Sequence, residues 1–133
     1  MSLSPQDRDV AHLCDCLRRK WEDLVDTLEE DHNPPIFLST IETLRQPDRQ
    51  AYYLKHGVSW TKNSKHLPQP PEKKSLAIDI CPVAYLTMKG WNPAGALWGV
   101  VGEEGERLGL RWGGRWKQKD LAHLELEACE CRK

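Results

Sequence analysis

One stretch of the 133-residue sequence combines a histidine, a proline-rich loop and an apolar segment that contains a carboxylate. It reads Ser64-Lys65-His66-Leu67-Pro68-Gln69-Pro70-Pro71-Glu72-Lys73-Lys74-Ser75-Leu76-Ala77-Ile78-Asp79. His66 precedes the prolines, and Asp79 interrupts the apolar run 76–81. A lone carboxylate in such a run is costly to bury unless a cation or strong hydrogen-bond donors accompany it. A metal ion would supply that cation, so the stretch predicts a metal site beside a strand.

A second stretch, residues 120–126, offers matching ligands, because it reads DLAHLEL and its last residues alternate as in a strand. His66, Asp79 and His123 would then make three protein ligands. Three ligands with an open fourth position are the arrangement in which a catalytic zinc activates water. Asp120 could accept the proton of that water.

Hydrophobic periodicity predicts the elements around these two stretches. Ser4 and Pro5 suit a helix N-cap and first position, and apolar residues at steps of three or four predict an amphipathic scaffold helix over 4–31. The remaining pattern predicts a strand over 36–44, a short helix over 47–56, strands at 76–81 and 121–126, and a helical piece over 100–107 within the segment 91–116, which is rich in Gly and Trp.

Length and charge limit the functional classes. The length suits one domain, residues 1–133. Lys plus Arg total 19 against 20 Asp plus Glu, so no basic field suggests a nucleic acid partner. No apolar run approaches the length of a membrane span, and the N-terminus lacks a secretory pattern. The sequence therefore predicts synthesis in the cytoplasm, no membrane insertion, and a monomer.

The five cysteines leave two interpretations. Cys14-x-Cys16 and Cys129-x-Cys131 suggest a four-thiolate zinc site, but structural zinc sites usually space their ligands more widely and place them on turns. In the predicted helix, Cys14 and Cys16 would point to different faces. Small buried or terminal thiols are therefore the favoured interpretation.

Several short motifs stand in order along the chain: Thr43-Leu44-Arg45-x4-Gln50, Gly57-Val58-Ser59, Asn63-Ser64-Lys65-His66, Leu76-Ala77-Ile78-Asp79, Trp112-Gly113-Gly114-x-Trp116 and Asp120-x-x-His123-Leu124-Glu125. Together they resemble the zinc peptidases of the M15 group, which includes D-Ala-D-Ala carboxypeptidases and phage L-alanyl-D-glutamate endopeptidases. The likeness covers most of the chain, and the Trp-Gly-Gly-x-Trp element is most similar to the phage endolysin branch.

The resemblance implies an α+β fold of the D,D-peptidase and hedgehog type, in which helices pack on a small antiparallel sheet that carries the zinc. It also implies a role for each matching residue. The zinc ligands would be His66, Asp79 and His123, and the catalytic acid/base would be Asp120. Arg45 would contact the scissile carbonyl or the developing oxyanion. The substrate-contacting residues would be Gln50, Ser64 and Trp112. For Trp112 and Trp116, however, aromatic residues in a Gly-rich loop more often pack as core or loop pins.

Two departures from the family pattern concern the loop and the aromatic element. The family usually has Ser-x-His-x-x-Gly-x-Ala-x-Asp, whereas residues 67–78 separate His66 from Asp79 here, and Ser75 occupies the usual glycine position. A surface insertion at 67–74 explains the spacing, since lengthening a loop costs little entropy when its anchors stay in place. We expect this loop to be exposed beside the substrate cleft. Arg115 stands where phage enzymes often carry an acidic residue, which affects the expected substrate preference.

The function implied is hydrolysis of the peptidoglycan stem peptide by a phage or prophage endolysin that cleaves the L-Ala-D-Glu bond. The alternatives are a D,D-carboxypeptidase that releases terminal D-Ala and a zinc-stabilised binding module without turnover. A protein made in the cytoplasm would reach the wall after release, as in holin-dependent lysis.

Overall fold

A computed structural model describes residues 3–59, 61 and 63–129 of the chain. Its helices are α1 (Asp15–Glu30), α2 (Pro47–Lys55) and α3 (Leu97–Arg107). Its strands are β1 (Leu38–Glu42), β2 (Ala77–Pro82), β3 (Arg111–Trp112) and β4 (His123–Glu125), joined in one antiparallel sheet of order β1-β2-β4-β3. The predicted α+β class is confirmed. Among the described residues, no helix is both long enough and apolar enough to cross a membrane.

The first helix carries the predicted apolar stripe but begins later than the predicted Ser4. Its buried residues recur at helical spacing, and they join the core with residues from the sheet and α3. The segment before Asp15 instead bonds to other parts of the chain: the Thr43 amide donates to the Asp7 carbonyl, and the Cys14 amide donates to the Ser75 carbonyl. These long-range bonds replace helical ones, so the scaffold helix is shorter than 4–31. The stripe is Leu17, Trp21, Leu24 and Leu28.

The register of the sheet determines which side chains meet. Asp79 on β2 lies opposite His123 on β4 and opposite Glu42 on β1, where a bulge interrupts the pairing. Residues directly opposite each other share one face of a sheet. This face therefore carries polar side chains, whereas the fully buried Ile78 and its partner Leu124 turn to the opposite face and the core.

The third helix begins at Leu97, earlier than the predicted start at residue 100, and its Gly102 packs against Trp112. A Cβ on Gly102 would lie 2.2 Å from Cδ2 of Trp112, so only glycine lets the indole ring approach this helix. The strands β1 and β4 are also shorter than predicted, because the flanking residues leave the ladder and turn into loops.

Candidate active site

A cleft of about 580 Å³ opens on the polar face of the sheet, and it contains all four residues of the predicted metal site. Asp79 and His123 enter it from β2 and β4, His66 from the loop after α2, and Asp120 from the turn before β4. The predicted grouping of these side chains, made from separate parts of the sequence, is therefore what the structure shows.

The three predicted ligands converge on a small volume. One ligand atom from each of His66, Asp79 and His123 lies within 4.8 Å of the other two. Oδ1 of Asp79 is 3.1 Å from Nε2 of His66 and 3.2 Å from Nδ1 of His123. Two imidazoles and one carboxylate are a donor set that Zn²⁺ prefers.

Hydrogen bonds determine which imidazole nitrogen faces the carboxylate. Nδ1 of His66 lies 2.7 Å from the Thr43 carbonyl oxygen, to which its N–H donates. Nε2 of His66 is buried and makes no hydrogen bond within the described residues. In His123 the roles are exchanged, because Nε2 lies 2.8 Å from Oε1 of Glu125 and Nδ1 faces Asp79. A buried nitrogen left unpaired beside a carboxylate and a second imidazole fits a bound zinc ion, with Thr43 and Glu125 as outer partners.

The charges of the cluster hold Asp79 ionised. Burial raises the pKa of Asp79, but the charge of His66, with the hydrogen bond and charge of His123, outweighs it and holds that pKa well below its usual range. Burial lowers the pKa of His123, yet hydrogen bonds with Asp79 and Glu125 raise it to about 10. In the absence of metal, His123 is therefore an imidazolium, and a metal ion would displace its proton.

Asp120 has the opposite environment. Burial and the neighbouring charge of Asp79 raise the pKa of Asp120 above its ordinary value. A carboxyl group with a raised pKa returns a proton to a leaving amine more readily than an ordinary carboxyl group does. The site thus contains one carboxylate suited to hold a cation and one suited to transfer protons.

Comparison with known families agrees with this geometry. Residues 58–126, about half of the chain and including His66, Asp79, Asp120 and His123, match the M15 peptidase family described as D-alanyl-D-alanine carboxypeptidase. The chain belongs to the M15 peptidases. No protein with a curated description matches it.

A solved structure supports the same family assignment for this M15 peptidase. Its fold is similar to that of the Serratia marcescens L-Ala D-Glu endopeptidase ChiX, with a TM-score of 0.52 and 25% sequence identity. The likeness covers 91% of this chain and 90% of that chain. The predicted family is confirmed.

Arg45 of the M15 peptidase lies at the edge of the metal cluster and is held by buried partners. Its Nε and Nη2 both donate to Oε1 of Glu42, at 3.0 and 2.5 Å, and its Nη1 donates to Gln50 at 2.7 Å. Nη2 is also 3.7 Å from Oδ2 of Asp79. Arg45 lines the cleft, and its predicted contact with a scissile carbonyl stays a prediction.

Two of the three predicted substrate-binding residues lie elsewhere. Gln50 is buried and is not among the described residues that line the cleft. Its side-chain nitrogen donates to Ser59 and to the Thr61 carbonyl, and its side-chain oxygen accepts from Arg45, so Gln50 holds Arg45 in place. Ser64 does line the cleft, and its Oγ accepts a hydrogen bond from the His66 amide at 3.1 Å. This bond fixes the turn that presents His66.

Trp112 packs in the core and not in the cleft. Its indole N–H donates to the Leu121 carbonyl at 2.9 Å, and its ring lies against Gly102 and Gly114. The alternative that Trp112 packs agrees with the structure, and its predicted substrate contact stays a prediction for a residue outside the cleft lining. Trp116 lines the cleft instead, with its ring centroid 5.0 Å from that of His123.

The structure also adds two acidic residues to which the sequence analysis gave no role in the site. Glu42 is almost fully buried and lines the cleft beside Asp79 and Arg45. Glu125 joins His123 to Arg111, which donates to its second carboxylate oxygen. The alternation in β4, which puts His123 and Glu125 on one face, was the available signal for Glu125.

The loop 67–74 does not flank the cleft. Residues 70–73 are exposed, and a pair of hydrogen bonds between Gln69 and residues 73–74 closes the loop. The described residues that line the cleft include none from 67–74, and the loop packs beside the start of α1, near Cys14. Its predicted position beside the substrate cleft is therefore wrong, because the backbone of Ser75 bonds to His12 and Cys14 and draws the loop toward α1.

Proposed function

We propose that this M15 peptidase is a zinc-dependent peptidoglycan hydrolase that cleaves the L-Ala-D-Glu bond of the stem peptide. The observation that carries the proposal is the convergence of His66, Asp79 and His123 with Asp120 in one cleft. The likeness to an L-Ala D-Glu endopeptidase over nine-tenths of both chains supports the choice of bond.

The proposed ligands would hold one zinc ion, which when bound supplies Lewis-acid chemistry that lowers the pKa of water toward about 7 and polarises a carbonyl. The carboxylate of Asp120 takes a proton from the attacking water as the oxygen–carbon bond forms. It then gives that proton to the amide nitrogen as the carbon–nitrogen bond breaks. The raised pKa of Asp120 suits both transfers.

The cleft also offers cations for an acidic peptide. Lys65, Lys119 and Arg45 line it, and the stem peptide carries carboxylates on its γ-linked D-Glu. The Lys119 side chain is exposed, whereas Arg45 already pairs with Glu42. Lys119 is therefore better placed than Arg45 to meet a substrate carboxylate, since Arg45 would have to share its guanidinium.

A second function has its own supporting observation, because the matching family is described as D-alanyl-D-alanine carboxypeptidase. That activity would release terminal D-Ala and leave the L-Ala-D-Glu bond intact. The two reactions yield different products from the same substrate.

Mass spectrometry of defined muropeptides decides between them. A disaccharide-pentapeptide and its D-Ala-trimmed tetrapeptide would be incubated with the parent protein and with Asp120→Asn. Endopeptidase activity yields a peptide with a new amino-terminal D-Glu from both substrates, whereas carboxypeptidase activity yields free D-Ala from the pentapeptide alone. Binding of both substrates without either product would identify a binding module and contradict the proposal.

We also propose that the protein works as a phage or prophage endolysin, made in the cytoplasm and released to the wall through a holin-type pore. The resemblance of the 112–116 element to the phage branch supports this part. Expression in a bacterial host with and without a co-expressed holin tests it. Lysis should require the holin, and equally fast lysis without it would contradict the route.

A further inference from the structure

Three cysteines come together outside the cleft that holds the sequence-predicted ligands. Cys14 and Cys16 lie at the start of α1, and Cys129 follows β4. Their sulfur atoms all lie within 4.8 Å of one another, and those of Cys14 and Cys16 are 3.2 Å apart. The chain segments that carry them are more than a hundred residues apart in sequence.

From the sequence, Cys14 and Cys16 were expected to point to different faces, because both were placed inside one helix. In the structure α1 begins at Asp15, and Cys14 is its N-cap with φ −48° and ψ 138°. This extended backbone turns the Cys14 side chain toward that of Cys16 in the first turn. The short Cys-x-Cys spacing is therefore compatible with two ligands on one ion at this helix start.

The distances suit a thiolate metal site. In a tetrahedral zinc site with Zn–S bonds of about 2.3 Å, the sulfurs lie about 3.8 Å apart. The sulfurs of Cys14 and Cys16 are 3.2 Å apart and no pair among the three is more than 4.8 Å apart, limits that enclose this value. A cavity of about 20 Å³ adjoins Cys14 and Cys129, whereas roughly 10–15 Å³ suffices for one water molecule. Small adjustments of side-chain torsions would centre an ion among the three sulfurs.

The surroundings offset the negative charge that thiolates would bring. Lys74 lines the same cavity and lies 3.4 Å from Asp15 in the first turn of α1. Lys65 extends to the Glu127 carbonyl, two residues before Cys129. The amino end of α1 contributes a further positive potential. Lys74 and the start of α1 thus place positive charge beside the cavity that Cys14 and Cys129 line.

We propose that Cys14, Cys16 and Cys129 bind a structural zinc ion, distinct from the ion held by His66, Asp79 and His123. This ion joins the segment after β4 to the start of α1. Cys131, the other cysteine of the Cys129-x-Cys131 pair, lies outside the described residues.

The proposed ion stabilises the region that presents His66. The Cys14 amide donates to the Ser75 carbonyl, and the neighbouring Leu76 amide donates to the Lys65 carbonyl. Two backbone hydrogen bonds therefore connect Cys14, through Ser75 and Leu76, to Lys65, the residue before His66. Loss of the structural zinc should lower thermal stability and loosen the His66 loop.

Metal stoichiometry tests the proposal on the full chain, purified under reducing conditions without chelator. The parent should carry two zinc ions per chain. The variants Cys16→Ser, Cys129→Ser and His123→Ala should each carry one. His123→Ala loaded with Co²⁺ should show the thiolate-to-cobalt charge-transfer absorption, and adding Cys129→Ser to it should abolish that absorption. Cys81→Ala is the matched control, because Cys81 is buried in β2 away from the cluster, and it should keep both ions.

Two results would overturn the proposal. One is a His123→Ala variant that carries no metal and shows no thiolate-to-cobalt absorption. The other is an intact mass of the parent protein that is two hydrogens short under the same reducing conditions, which would show a disulfide. Failure of the proposed function gives a different pattern. A single zinc ion that is lost in Cys129→Ser and kept in His123→Ala would support the thiolate site and contradict the catalytic one.

Discussion

Asp79 and His123 face each other across the β2–β4 ladder, and Oδ1 of Asp79 lies 3.2 Å from Nδ1 of His123. A slip of one residue in this pairing would turn every side chain of the strand to the opposite face. Two of the three proposed ligands are therefore positioned by the sheet itself. His66 comes from a loop, and two bonds hold it: its carbonyl accepts from the Arg45 amide, and its Nδ1 donates to Thr43.

Replacing His66 by Ala should remove one zinc equivalent relative to the parent and abolish hydrolysis. A two-ligand remainder lacks the three protein ligands that catalytic zinc sites use. Elemental analysis and muropeptide digestion measure both effects. His56→Ala is the control, since this exposed imidazole stacks on Tyr52 outside the cleft and should leave both values unchanged. Parent-level zinc in His66→Ala would contradict the ligand assignment.

Replacing Asp120 by Asn should lower turnover by about a hundredfold or more while the zinc content stays at the parent level. General acid/base groups typically contribute roughly 10² to 10⁴ in rate. Asp26→Asn, on the exposed side of α1, controls for loss of a carboxylate. If Asp120→Asn lost a zinc equivalent, Asp120 would be a ligand and the role of Asp79 would have to be reassigned.

Replacing Glu125 by Ala should weaken zinc binding by about 10- to 100-fold, because outer-shell partners orient the ligating imidazole. Oε1 of Glu125 lies 2.8 Å from Nε2 of His123, so that Nδ1 of the same ring faces Asp79. Competition with a chromophoric chelator measures the affinity. Glu127→Ala removes an exposed carboxylate two residues further on and should have no effect. Equal affinities for the two variants would show that Glu125 does not orient His123.

The sequence could predict the metal cluster because its members stand in short motifs at the ends of elements. Asp79 in an apolar run and His123 before an alternating segment are local signals, and sheet pairing brings them together. The start of α1 could not be predicted this way. Its apolar periodicity extends to Val10, but the hydrogen bonds of Asp7, His12 and Cys14 to distant residues prevail over local helix propensity.

Long-range packing also determines contacts that the local sequence pattern does not show. Trp112 belongs to a motif that suggests substrate contact, yet its ring is buried in the space that Gly102 of α3 leaves open. Gln50 and Glu42 are polar residues whose burial depends on the guanidinium of Arg45 between them. Nothing in the local pattern of either residue indicates which charged partner it meets.

Acid should weaken the link between the end of α1 and α3 through Glu104. The hydrogen bond from His32, at 3.1 Å, and the charge of Arg107 lower the pKa of Glu104 below its ordinary value of 4.5. A carboxylate with a lowered pKa stabilises the fold above the unfolded-state pKa, and this stabilisation is lost as the pH falls through the folded-state value. Glu104→Gln should therefore lower the free energy of unfolding at pH 7 more than at pH 3, as measured by urea denaturation. An equal loss at both pH values would contradict this linkage.

Two glycines of α3 provide a matched pair that tests the packing of Trp112. A Cβ on Gly102 would lie 2.2 Å from Cδ2 of Trp112, whereas a Cβ on Gly99 would meet nothing within 4 Å. Gly102→Ala should therefore cost about 1–3 kcal/mol of stability through overpacking. Gly99→Ala should be neutral or stabilise by up to about 1 kcal/mol, since alanine restricts the unfolded chain and favours the helix. Urea denaturation followed by tryptophan fluorescence measures both. Equal stabilities for the two variants would show that Trp112 does not pack against Gly102.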